Sequence, residues 1–143
     1  MLDILSRFLH ILAAVWATGS LIYTCFVLSP AVQAMAEDER ARLLGRISQG
    51  LRPLAISTIV VSLITGLYNF YRILQGGVAP GYHMAFGIKF LLALHVLSML
   101  YMLSKPPGAN PQRDAKRSRL ALGALISAVI IVAIGAYLRT LHL

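Results

Sequence analysis

Residues His83 to Met102, HMAFGIKFLLALHVLSMLYM, form a strongly apolar run that carries Lys89 and His95 inside it. At ~1.5 Å of rise per helical residue, a run of this length matches the ~30 Å hydrocarbon core of a bilayer. An ionisable group in hydrocarbon costs several kcal/mol, so Lys89 and His95 are expected to face a bundle interior and mark a functional site.

Three further apolar runs, Phe8 to Leu28, Pro53 to Tyr71 and Leu120 to Leu138, make the same argument. The chain is 58% hydrophobic with a mean hydropathy of +0.75, against ~45–50% for soluble domains. The reading is an all-α integral membrane protein: one domain over residues 1–143, spanning at about 5–29, 53–71, 84–103 and 120–139. A net charge of +8 would suggest nucleic acid in a soluble protein. Here most bases fall in two segments between apolar runs, which points to cytosolic loops beside anionic lipid and to no nucleic-acid partner. The lone Cys25 excludes an intrachain disulfide and reads as a small core residue.

Ala34-Met35-Ala36 resembles a signal-peptidase site. The apolar run before it is too long for a ~7–15-residue signal core and its leading segment has no net positive charge, so a retained first helix is expected. Along that helix His10, Ala14, Ala17, Leu21 and Thr24/Cys25 recur at three- and four-residue steps, a small-residue packing stripe. Glu37, Asp38 and Glu39 followed by Arg40, Arg42, Arg46 and Arg52 suit a short interfacial helix or a charged loop. Pro53 is expected to open helix two. Thr58, Ser62, Thr65 and Asn69 then form a polar stripe, either interhelical glue or ligand contact. Arg72 closes that helix, and Gly123, Ser127 and Gly135 are packing positions in the last one.

Loops one and three hold nine bases, Arg40, Arg42, Arg46, Arg52, Lys105, Arg113, Lys116, Arg117 and Arg119, against four on the other side, Arg7, Arg72, Lys89 and Arg139. The positive-inside rule gives an antiparallel up-down four-helix bundle with both termini outside. All four histidines then fall in one half. His83 and His142 also read as a loop residue and a solvated tail, while His10 and His95, within the membrane, are ligand candidates.

Imidazole binds copper, zinc and haem iron. For haem b, His10 and His95 could supply axial ligands, with Lys89, Arg72 or Arg139 meeting the propionates. For copper(I), soft ligands draw attention to His95, Met99 and Met102 on one stripe and to His83-Met84 at the mouth, although methionine in apolar helices also packs. No phosphate loop, dinucleotide fingerprint or HExxH is present, and no acid lies mid-membrane to relay protons.

RFLHILAAVWATGSLIYTCFVLSPA, RISQGLRPLAISTIVVSLITGLYNF and GIKFLLALHVLSML together resemble the copper resistance D (CopD) family of bacterial membrane proteins and the related HemJ-type protoporphyrinogen oxidases. The resemblance implies a multi-pass protein of the bacterial inner membrane that handles copper, or that binds haem b and oxidises protoporphyrinogen. It also implies functional roles for a first-helix histidine and a lysine opening the third helix, matched by His10 and Lys89. After Trp16 the oxidase group has a Pro-Arg-containing aromatic run where this chain has Ile22-Tyr23-Thr24-Cys25, which makes the copper family the nearer match. Whether the chain is an enzyme, a redox carrier, a non-catalytic assembly subunit or part of a homodimer or larger complex stays open at this level.

Overall fold

The computed structural model describes residues 1–78, 80–106, 108 and 116–140; Arg113 and His142, named above, lie outside them. The described chain is helical, with no strand. Four of its helices are long and apolar enough to cross a membrane. Helix α1 (Leu2–Tyr23) passes through a π-helical turn (Thr24–Leu28) into the short α2 (Ser29–Gln33); α3 (Glu37–Gln75), α4 (Tyr82–Leu103) and α5 (Arg117–Thr140) follow.

The first span continues beyond the expected stop at Ser29, through Pro30 to Gln33. Ser20 and Thr24 donate their hydroxyls to the carbonyls of Trp16 and Ser20, at 2.8 and 2.7 Å. Such back-bonding bends helices, and the wider π turn beside it gives the backbone the slack to carry a proline. Arg40 then donates to the Val32 carbonyl, 2.9 Å, capping the end of α2.

The larger departure is α3. A separate interfacial helix and a new start at Pro53 were the expectation; instead one 39-residue helix runs straight through Pro53. Proline in a helix interior removes the bond to the carbonyl four residues earlier. That carbonyl belongs to Gln49, and Gln49 and Pro53 are both exposed, so surrounding polar groups can replace the bond. At ~1.5 Å per residue the helix is ~58 Å long, about twice a hydrocarbon core, so its first turns carry Arg40, Arg42 and Arg46 clear of the apolar layer.

Helix α1 packs along α3 and α4 along α5, and the two pairs meet through α1 with α5 and α3 with α4. Asp3 meets Arg72, His10 meets Thr65 and Ala17 shares a cluster with Ala55, so numbers rise along α1 as they fall along α3. The main core gathers Leu21, Val96, Leu103, Ala121, Ala124 and Leu125, with Cys25 and Met99 packed against it. Alanines at the contact let the backbones approach closely, which is how helices associate where lipid is as apolar as the core. Ala124 is 0% exposed, so Ala124→Leu should overpack it and cost about 1–3 kcal/mol in detergent denaturation. Val129, 59% exposed, should accept leucine within about 0.5 kcal/mol.

Ile4, Phe8, Ile11, Leu12 and Val15 turn outward, each at least 53% exposed. A continuous apolar exterior of this kind suits a lipid surrounding.

Candidate functional site

The bundle is hollow beside that core, which shares Val96 and Ala128 with the cavity wall. A cavity of about 270 Å³ lies between α1, α3, α4 and α5, and both His10 and Lys89 line it. Lys89 lies seven residues into α4 and His10 eight into α1, depths of ~10 and ~12 Å by helical rise.

Each side chain is seated by a glycine on the facing helix. A Cβ on Gly66 of α3 would come 3.1 Å from His10 Cε1, and one on Gly135 of α5 would come 3.4 Å from Lys89 Nζ. Glycine inside a helix costs roughly 0.5–1 kcal/mol relative to alanine. Gly135, expected to be a helix-packing position, thus makes room for a lysine head; a Cβ on Gly123 would meet nothing within 4 Å. Gly135→Ala should be tolerated, because a flexible ammonium can move aside. Gly66→Ala should displace the imidazole by a few tenths of an ångström, read as a shift of the His10 ring resonances that Gly135→Ala does not produce.

On α3, Thr65 Oγ1 lies 3.0 Å from His10 Nδ1 and donates its own hydrogen to the Val61 carbonyl, 2.6 Å. Polar Ser62 and Asn69 from the same stripe also line the cavity. Its far wall is aromatic. Phe70 and Phe86 stack across the seam between α3 and α4 with centroids 3.8 Å apart and planes 13° apart. Tyr82 lies parallel to both at 6.5 and 6.3 Å, and Phe90 extends the row beyond Phe86 at 6.3 Å. Leu67, Leu94 and Val132 line the cavity yet are 53, 38 and 64% exposed, marking where it reaches the apolar exterior. No aspartate or glutamate is among the lining residues.

The structure does not bring His95 to His10. His95 is exposed and is not among the cavity's lining residues. Six residues separate it from Lys89, which at ~100° per residue turns it ~120° away around α4. Arg72 is also committed elsewhere: its Nε and Nη2 donate to the two Asp3 carboxylate oxygens at 2.8 and 3.0 Å, and Nη1 to Gln75. Tyr68 adds a hydroxyl to the same Asp3. Arg139, His83 and Met84 are exposed, and Met99 packs on the core. Among the described residues no three of histidine, cysteine, aspartate and glutamate converge as a metal site would require.

No known family model, curated protein or solved structure matches this chain. Its function has to be read from the site.

The aromatic wall is the part that the sequence reading missed. Tyr82, Phe86 and Phe90 recur every four residues, a single stripe. In a helix that is apolar all round, nothing in composition sets that stripe apart from lipid-facing residues.

Proposed function

We propose that this protein holds a tetrapyrrole in the membrane, haem b or a reduced porphyrin, with His10 as the residue that would hold iron and Lys89 as the one that would meet a carboxylate. The observation that carries this reading is the cavity that His10, Lys89 and a row of stacked aromatic rings line together. The donor set fits such a group. An imidazole nitrogen binds iron, a cation in an apolar cavity without an acid calls for an anionic ligand, and stacked rings suit a planar one. At about 270 Å³ the cavity is slightly below the ~300–1,000 Å³ of common ligand sites, and its opening to the exterior leaves room for a ligand edge among lipid tails.

Bound haem would supply one-electron redox chemistry. The chain's own residues would hold it: His10 would bind the iron, Lys89 would pair with a carboxylate, and the aromatic row would pack against the macrocycle. Copper(I) handling is the weaker reading, because no methionine, cysteine or second histidine is among the cavity's lining residues. The bond between His10 and Thr65 alone would suit an assembly subunit whose histidine merely joins two helices; a lysine held in the same cavity without an acid favours a ligand. Both functional positions implied by the resemblance to HemJ-type oxidases, His10 and Lys89, are the two polar anchors of this cavity, so protoporphyrinogen oxidation is the enzymatic form of the proposal. The arginine distribution supports an antiparallel bundle in the bacterial inner membrane with both termini outside and the cavity in the outer half.

Hemin titrated into the purified protein should give a Soret band saturating at one equivalent per chain, and the gene should rescue a bacterial strain lacking protoporphyrinogen oxidation. Absence of saturable hemin binding overturns the reading, and binding without rescue removes its enzymatic form.

A further inference from the structure

We infer that Thr65 is a positioning residue that sets the tautomer of His10, holding the proton on Nδ1 and leaving the lone pair on Nε2 for the cavity. A threonine hydroxyl has one hydrogen to give. Here it goes to the Val61 carbonyl at 2.6 Å, one turn back along α3, which is the ordinary bond of a threonine inside a helix. The oxygen of that hydroxyl can then only accept from His10 Nδ1, 3.0 Å away. In the neutral ring a donating Nδ1–H obliges Nε2 to be the acceptor.

The glycine next in sequence completes the seat. Gly66 lets Nδ1 and Cε1 lie against the α3 backbone, with its Cβ position 3.7 and 3.1 Å from them. With Nδ1 engaged by Thr65, Nε2 is the ring nitrogen whose lone pair is unused by that bond, on a side chain that lines the cavity. The order of the relay is Val61 carbonyl, Thr65 hydroxyl, imidazole. It spans two helices and needs no ionised group.

The tautomer follows from this geometry alone; its use, a pre-aimed nitrogen for iron, rests on the tetrapyrrole reading. The test separates the two. Histidine labelled with 15N and 13C in the intact protein, in detergent at pH 8 where an ordinary imidazole is neutral, reports which ring nitrogen carries the proton. His10→Gln identifies the His10 signal among the four histidines. The Nδ1–H pattern is expected in the unaltered protein and in Thr65→Ser, which keeps both the i−4 bond and the acceptor. Thr65→Val, of equal size without the hydroxyl, should lose that preference. An Nε2–H ring in the unaltered protein overturns the inference without recourse to any variant, as does an unchanged Nδ1–H ring in Thr65→Val. Hemin titration is the second readout. Outer-shell partners of a metal-binding histidine are worth ~10–100-fold in affinity, so Thr65→Val should weaken hemin by that factor and Thr65→Ser should not. A lost tautomer with undiminished hemin affinity overturns the positioning role. An Nδ1–H ring in a protein that takes up no hemin supports the tautomer assignment while removing the tetrapyrrole reading.

Discussion

Purified His10→Ala protein should bind hemin more weakly by more than the ~10–100-fold that outer-shell changes produce, and lose the spectrum of histidine-ligated iron. His10 is the only histidine among the described residues lining the cavity, so none of them can take its place. The fold should survive, because interhelical hydrogen bonds in membranes average only ~0.6 kcal/mol and His10 is not a member of the cluster around Leu21, Val96 and Ala124. His95→Ala is the matching control and should leave the spectrum unchanged, since that side chain stands on the exterior of α4. Equal losses in the two variants would contradict the site described above.

Lys89→Met should move stability and binding in opposite directions. Without ligand, Lys89 is a half-buried cation with no acid among the cavity's lining residues. Replacing an uncompensated charge by an apolar side chain of similar length commonly stabilises, here on the order of 1 kcal/mol. A hydrogen bond to a charged group is worth about 1.5–3 kcal/mol, so the loss of one from the ligand's carboxylate should weaken hemin about 10–150-fold. A higher melting temperature with weaker binding is the signature of a residue kept for function at some cost to the fold. A lysine that merely extends its head toward the membrane surface would leave hemin affinity where it was.

Much of the architecture was legible in the sequence. Four apolar runs of bilayer length are four helices suited to crossing a membrane; of the expected α1 stripe, Ala17 and Leu21 are buried, but Ala14 is exposed and the neighbouring Ala13 is buried instead. The continuity of α3 was not legible. Proline at 53 reads equally as a helix start or as a tolerated interior residue, and only the exposure of Gln49 and Pro53 decides between them. Within the site, His10 and Lys89 stood out because ionisable groups are rare in apolar runs. His95 stood out for the same reason and lies on another face, a difference that the six-residue offset from Lys89 already encodes. Arg72 resembled a ligand contact until its partner was known, and Asp3 is 69 residues away in sequence. The glycine seats, Gly66 and Gly135, were invisible as such: a glycine in a membrane helix signals close approach, not what approaches.

The central claim is that His10 and Lys89 grip the same planar, carboxylate-bearing ligand from one cavity. Comparing haem b with its dimethyl ester in the unaltered protein and in Lys89→Met tests it most directly, because esterification removes the anionic charge and keeps the iron and the ring. The unaltered protein should prefer the free acid by about 10-fold or more, the equivalent of ~1.4 kcal/mol for a charge-assisted contact, and Lys89→Met should bind the two alike. Equal affinity of the unaltered protein for acid and ester, or a preference that survives in Lys89→Met, would contradict the claim.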